Sequence, residues 1–384
     1  MSMTQVDAAA GGGARNTRGR TPVWGPRLNG EELDISVTEI SVSLAEGQHD
    51  HTTISCVSST LENTEDMLDM PFSFYFGVPP HTELFHGYIT DITNEQKSQG
   101  SLSFGLTVLG ATKMMFEGKP HFWLDKSVTT AAGELVRAND LGFGGHPHSF
   151  LWSGLAQTEE SDWEMVLKLA KRVGWSVFSR YGVVMLHDPN RWYREMAPYA
   201  TLRSNNTEPD DRHLIEFSAT EFAGVSKENL GAKVGYFNGT SVETLVQTGE
   251  FKGYIQETDA VLHSQPEAKA YMDGMDVRLD SWGQTAVARM WGDADIFPLM
   301  CVNIVTVKET FVYSKYDGKW LVRTVGHKAD NQSFQTILFL TRPNPDDYPP
   351  MDANYKPFWE MEEPTRSRPY LTLHEDRWIS SWTS

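Results

Sequence analysis

Cysteine is nearly absent from this sequence: Cys56 and Cys301, its two cysteines, stand far apart in separate strand-like runs. That excludes a disulfide-stapled scaffold and points to assembly in a reducing cytoplasm. Long apolar runs are missing as well. Nothing approaches the roughly 20 consecutive apolar residues of a membrane-spanning helix, so no membrane insertion is expected. Residues 1–27 have no apolar core of the signal-peptide kind and read as a flexible N-terminal arm. Positive charge is scarce, with 33 Lys and Arg against 51 Asp and Glu and a net charge of −18. Proteins that grip nucleic acid cluster cations to displace phosphate counterions, and no basic stripe is present here. Specific nucleic-acid binding is therefore not expected, while passage of a nucleic acid along an acidic wall stays open.

The motifs of common chemistries are missing too. There is no HExxH, no Cys pair, no GxSxG elbow, no P-loop and no GxGxxG. His49 and His51, and likewise His146 and His148, sit two residues apart, which on a strand is one face. Zinc needs four converging ligands, or three and a water at a catalytic site. Both pairs lie in polar, turn-like segments and are expected to be solvated loop histidines, with a metal site as the alternative. A carboxylate pair such as Glu159 and Asp188 meets the composition of a glycosidase, but an acid-rich surface supplies such pairs by chance. Of the twelve tryptophans, Trp163, Trp175, Trp282 and Trp320 fall in predicted elements, where burial is the default over sugar stacking. No catalytic, cofactor or metal residue is assigned.

What is present is pattern. Hydrophobic residues make up 40% and charged residues 22% of the 384, ordinary for a globular chain with two or three cores. From 28 to 112 short alternating runs follow one another: LDISVTEISVSL, TTISCVSS, PFSFYFGV, ELFHGYITDI and SLSFGLTVLG, the last two separated by the polar loop NEQKSQG. This predicts a small closed or nearly closed antiparallel barrel. Residues 113–210 read as an α/β insert, with a helix beginning near Ser127 or Thr129 and a linker at SNNTEPDD. Strands resume over 211–345, interrupted by a helical insertion near 264–291 that opens on Ser264 and Pro266. Asp317-Gly318 is a two-residue hairpin signal between FVYSKY and KWLVRTV. Residues 346–384 are proline-rich and read as an extended arm.

Within the insert, residues 157–189 form a compact statement. Ser161 caps a helix with Glu164 at the capping-box spacing, and Trp163, Val166, Leu167 and Ala170 make an apolar stripe. Gly174 ends that helix, and WSVFS and VVMLHD form a hairpin around Tyr181-Gly182. Glu160-Ser161-Asp162-Trp163 followed by a hairpin closing on Leu186-His187-Asp188 resembles the hub proteins of contractile tails. These are the phage late-control protein D family, the baseplate hub and the hub half of the type VI secretion spike. Asp317-Gly318-Lys319-Trp320 running into Val325-Gly326-His327 is similar to that family's last hairpin. The family's preceding strand start would fall at Phe297–Val302, here without its glycine.

The resemblance spans roughly 28 to 345. It implies a mainly β fold with an α/β insert, built on two tail-tube-like antiparallel β-barrels, with Glu160, Ser161, Asp162, Trp163, His187, Asp188, Asp317, Gly318, Trp320 and His327 as structural signature and no catalytic role. It further implies a homotrimeric ring, a tail tube or distal tail protein above, a separate spike or needle protein below, and a tape measure protein in the lumen. The place would be a virion tail tip assembled in the host cytoplasm, or a related injection machine, contractile or not. Because the chain stops soon after its second β unit, the spike is expected to be another protein. A tail-associated cell-wall hydrolase or carbohydrate-binding protein is the competing reading. The acids are expected either on the channel wall or on a solvated exterior.

Overall fold

The computed structural model describes residues 24–61, 64–76, 82–98, 100–204, 212–221, 230–247, 251–258, 262–306, 316–330 and 333–343. Most of the arms expected at 1–27 and 346–384, the SNNTEPDD linker and nearly all of FVYSKY lie outside them.

The first β unit comprises β1 (Trp24–Leu28), β2 (Glu31–Glu32), β3 (Ser36–Ala45), β4 (His51–Ser58), β5 (Pro71–Phe76), β6 (Thr82–Ser98) and β7 (Ser101–Gly110). Their spatial order is β3-β4-β7-β6-β5-β1-β2, antiparallel throughout. The period-2 alternation is realised strictly in β7, where Leu102, Phe104, Leu106 and Val108 are buried and their neighbours half-buried. β6 runs on to Ser98, so most of NEQKSQG is strand and not loop. Backbone pairing needs no apolar side chain, and it carries the hairpin past the polar run to Ser98 opposite Ser101.

The insert contains β8 (His121–Trp123), α1 (Val128–Ala138), β9 (Gly142–Gly145), β10 (Leu155–Gln157), α2 (Asp162–Val173), β11 (Ser176–Arg180), β12 (Val183–His187) and α3 (Pro189–Glu195). Ser127 caps α1 through the backbone NH of Thr130. α2 has a complete capping box: Ser161 Oγ accepts from the Glu164 NH and Glu164 Oε2 accepts from the Ser161 NH. Gly174 closes it in the left-handed region at φ 67°. The buried face is Trp163, Met165, Val166, Leu169, Ala170 and Val173, with Leu167 at its margin. A cap contributes about 1 kcal/mol, whereas each large apolar side chain on this face contributes about 1.5–3 kcal/mol. Packing therefore holds α2, and the cap fixes where it starts.

The remaining elements are β13 (Pro198–Arg203), β14 (Arg212–Glu221), β15 (Leu230–Phe237), β16 (Val242–Gln247), β17 (Phe251–Thr258), α4 (Gln265–Asp280), β18 (Gln284–Trp291), β19 (Cys301–Val305), β20 (Gly318–Asp330) and β21 (Phe334–Arg342). Six of these close a barrel in the order β19-β13-β14-β18-β21-β20, with β20 pairing back to β19. β13 is parallel to both of its neighbours. It lies inside the 113–210 segment expected to form the insert, yet its backbone completes the barrel wall and Leu202 enters the barrel core. The helical insertion expected near 264–291 ends at Asp280. Beyond it, Ala286, Ala288 and Met290 are buried while Val287, Arg289 and Trp291 are exposed, a strand's alternation.

α4 belongs to the insert's core. Ala268, Tyr271, Met272 and Met275 pack with Trp163, Val166 and Leu169, and β15 adds Val234 and Tyr236. The helical body thus comes from two separated stretches of chain. Its tightest contact is between glycines: a Cβ on Gly174 would meet the Gly274 carbonyl oxygen at 1.8 Å. A glycine inside a helix costs roughly 0.5–1 kcal/mol relative to alanine, and here it permits α4 to cross the end of α2.

The two β units are one sheet. β20 pairs with β19 through Gly318–Leu321, and further along that same edge with β3 through Thr324–Asp330, while β21 lines its other edge. The result is a 13-stranded sheet, closed into a barrel at one end and ending on β2 at the other.

Candidate functional site

Strand register places one uninterrupted face across both β units. Trp291, Gln335, Lys328, Ser41, Thr53, Thr107 and Asp91 stand side by side on β18, β21, β20, β3, β4, β7 and β6. The adjacent row reads Glu216, Arg289, Ile337, Gly326, Ser43, His51, Leu109 and Tyr88, from β14 to β6. A third reads Asp330, Glu39, Ser55, Gly105 and Thr93. Residues directly opposite in a ladder share a side, and all of these are exposed or half-buried. The alternate residues, among them Ile40, Val42, Ile54, Leu106, Val108 and Leu338, fill the core behind.

Over the first unit this face consists largely of Ser, Thr and Gly. The two cations in these rows are each met by a carboxylate: Arg289 with Glu216 at 2.9 Å and Lys328 with Glu39 at 3.0 Å. Exposed pairs of this kind contribute roughly 0–1 kcal/mol to stability. Their larger effect is to cancel charge that a phosphate or acidic polymer would bind. Hydroxyls in water exchange one hydrogen bond for another, at a net gain near 1 kcal/mol or less each. The face therefore offers weak, unspecific contact. It changes character on the second barrel, where Val287 (46% exposed), Ile337 (42%), Trp291 (37%) and half-buried Phe339 form an apolar strip. Trp282 closes the strip at one end, its ring 5.8 Å from that of Phe339.

Beneath this face a polar junction ties the insert to both β units. Arg323 of β20, buried, donates to Thr341 Oγ1 (2.7 Å), to Ser176 Oγ of β11 (2.8 Å), to Glu46 Oε2 after β3 (2.6 Å) and to the Ser281 carbonyl (3.3 Å). Trp282 lies 5.4 Å from its guanidinium. A second node joins Asp50 to β11, where Ser179 Oγ donates to Asp50 Oδ2 at 3.3 Å. Burial pushes the Asp50 carboxyl up to about 8, against the opposing pull of Arg180 and the Ser179 hydrogen bond. His327 Nδ1 lies 3.0 Å from Thr336 Oγ1; burial, and then Arg180, push its imidazole down to about 3.

The sequence signature is spread over separate places. Glu160, Ser161, Asp162 and Trp163 form a knot at the start of α2. Glu160 Oε1 accepts from Lys168 at 2.8 Å, and Asp162 accepts from Gln157 and Asn139, each at 2.7 Å. Hydrogen bonding to Lys168 and nearby NH groups outweighs burial and takes the Glu160 carboxyl down to about 2. Trp163 is buried, its ring 5.1 Å from that of His49. His187 is fully buried between His146 (4.9 Å) and Trp192 (4.2 Å). Asp188 caps α3 by accepting from the Asn190 and Arg191 NH groups. Asp317 Oδ1 accepts from the Thr306 NH, Gly318 takes φ 117°, and Trp320 Nε1 donates to the Tyr316 carbonyl. Their contacts are those of caps, turns and core packing.

Two expectations need correction. His146 is buried, not solvated, because the loop bearing it folds under Trp175 and against β12, and burial takes its pKa down to about 4. The carboxylates Glu159 and Asp188, read as a chance pairing of an acid-rich sequence, have separate surroundings: Glu159 is exposed, and Asp188 caps α3. Among the described residues no group of three His, Cys, Asp or Glu is placed to hold a metal ion. Trp282, expected to be buried, is 37% exposed. The junction residues Arg180 and Arg323 went unmarked by the sequence reading, although a lone arginine ending WSVFSR or inside KWLVRTV is the signal that finds them.

No protein-family model matches this chain, and no curated protein matches it. Solved structures do. A tail protein from Neisseria meningitidis MC58 is 12% identical, with a TM-score of 0.62, covering 84% of this chain and 97% of its own. The 43 kDa tail protein of prophage MuSo2 from Shewanella oneidensis is 10% identical, with a TM-score of 0.60 and coverage of 84% and 98%. The E. coli c3393 protein, a type VI secretion component described as similar to the T4 tail proteins gp27 and gp5, is 11% identical, with a TM-score of 0.58 and coverage of 85% and 79%. The chain has the fold of these tail proteins, mainly β with tail-tube-like units.

Proposed function

We propose that this chain is the hub of a phage tail or of a related injection machine. Three copies form a ring in which six β units continue a sixfold tube, and the threefold symmetry accepts a separate spike. The observation that carries this reading is the β3–β20 pairing. It fuses two tube-like units into one rigid sheet with a single open face, the geometry that lets one chain stand in for two subunits of a tube. The tail-protein fold supports the same reading.

In this assembly the open face lines the passage, and its role is to avoid adhesion. The rows named above pair their cations with carboxylates and over the first unit offer largely hydroxyls and glycine, so a passing polymer finds no counterion release and little apolar grip there. The net −18 then sits mostly away from the wall and keeps the particle soluble. The ring contacts use faces and loops more than strand edges. The sheet's free edge, β2, is two residues long and carries exposed Glu31 and Glu32, which discourages edge-to-edge pairing. A tail tube or distal tail protein sits above, the spike below and a tape measure protein within, at a virion tail tip assembled in the host cytoplasm. The work is geometric and not enzymatic.

The test is solution mass together with symmetry in averaged particle images. A trimer with a central opening is expected. A monodisperse monomer at high concentration, with and without a candidate spike, overturns the ring.

A further inference from the structure

The apolar strip on the second barrel departs from the rest of the open face and calls for an occupant. Val287, Ile337, Phe339 and Trp291 stand on neighbouring strands with Trp282 at one end. Each such side chain left in water forgoes about 25 cal/mol for every Å² it would bury. We propose that the strip is the seat of this chain's own proline-rich C-terminal segment, residues 343–357.

Three observations select that occupant. The first is position: β21 ends at Arg342, which pairs with Gln284, two residues from Trp282. The segment therefore begins beside the strip, and almost no loop has to close before contact is made. The second is reach. The strip follows the 8 residues of β18, about 26 Å at 3.3 Å per residue. Residues 343–357 in an extended proline-type conformation, at about 3.1 Å per residue, span about 43 Å. The third is chemistry. The rings of Pro343, Pro345, Pro349, Pro350 and Pro357 fix φ at those positions, which lowers the entropy lost on docking. Aromatic surfaces such as exposed Trp282 and Trp291 beside half-buried Phe339 are what proline-rich segments recognise. The seat is formed within one chain and does not depend on the ring; if the open face does line a passage, the segment is its resting occupant.

Cysteine accessibility tests this on the full chain. Cys56 and Cys301 are buried, and burial pushes their thiols up to about 12 and about 11, so they give a silent background to maleimide. The labelling rate of Ile337→Cys is compared between the otherwise native chain and one that also carries Tyr348→Ser, Pro349→Ser, Pro350→Ser and Tyr355→Ser. Labelling about tenfold faster in the altered chain, equivalent to about 1.4 kcal/mol of seating, is the expected result. Val242→Cys on β16, 74% exposed, serves as reference and should react equally in both. Val287→Cys gives the same reading should Ile337→Cys fail to fold. Equal rates at the strip overturn the proposal. Protection that disappears on about hundredfold dilution also overturns it, since it assigns the strip to a second copy.

Discussion

The polar junction beneath the open face allows a quantitative test through Arg323→Leu. Arg323 is 2% exposed and makes its four hydrogen bonds to three different parts of the chain. Leucine fills much of the space but strands Ser176 Oγ and Thr341 Oγ1, both in buried residues, at about 1–3 kcal/mol for each group left unsatisfied. It also leaves the Glu46 carboxylate without its partner, and removing one member of a buried pair costs about 3–5 kcal/mol. Glu46 is 20% exposed and can turn to water, which reduces that cost. A net loss of about 4 kcal/mol is expected. With an unfolding entropy of about 2.1 cal/mol/K per residue and 384 residues, that corresponds to a Tm lowered by about 5 °C. The assay is thermal unfolding followed by circular dichroism and tryptophan fluorescence. Glu46→Gln should cost about 1 kcal/mol, because the amide oxygen still accepts, and should cost almost nothing in the Arg323→Leu background. A Tm shift of Arg323→Leu below about 1 °C would show that the junction is not what fixes the insert against the two β units.

Other outcomes follow from the same packing. Asp50 holds its proton up to about pH 8 when folded and only to about 3.9 when unfolded. The folded state therefore binds more protons within that window and stability falls as pH rises through it; Asp50→Asn should flatten the dependence in urea midpoints at pH 5 and 8, and an unchanged slope refutes the assignment. His146 and His187 are held neutral by burial, so stability present above about pH 6.5 should be lost as pH falls toward 4, and His146→Gln should reduce that acid slope by up to about 1.4 kcal/mol per pH unit. Gly274→Ala brings a Cβ to 2.6 Å from the Arg172 carbonyl oxygen, so the gain in helix propensity should be outweighed and the chain destabilised by about 1–3 kcal/mol; a rise in Tm would mean that α4 does not cross α2 there. Trp163→Ala should cost about 3–5 kcal/mol in chemical denaturation, and an unchanged midpoint would remove Trp163 from the core of the insert.

Local order was legible in the sequence wherever a short stretch carries its own physical instruction. Ser161 and Glu164 close a capping box within three residues, and Gly174 takes the left-handed turn that side chains resist. Tyr181-Gly182 turns the WSVFS–VVMLHD hairpin in register from Ser176 opposite His187 to Arg180 opposite Val183. Alternation in residues 36–58 and 101–110 gave both the strands and the side of each that is buried. The Asp188 cap of α3 and the positive-φ turn at Gly318 are local chemistry of the same kind.

Contacts between distant parts of the chain were decided only by tertiary structure. Nothing near Val325 announces that β20 serves both barrel and first unit, because strand pairing uses backbone groups that every residue carries. α4 reads as an insertion in the second β unit, yet its apolar face finds its complement on α2, where the close Gly174–Gly274 approach lets the two helices meet. β13 becomes a parallel barrel strand although its sequence looks like the end of the insert. The open face follows the same rule: Ser41, Thr53 and Thr107 are unremarkable singly and become one surface only when register aligns them. Arg180, Arg323 and Asp50 are buried because three units close over them, and the cost of stranding such groups is a property of that closure, invisible in any one of the strands that carry them.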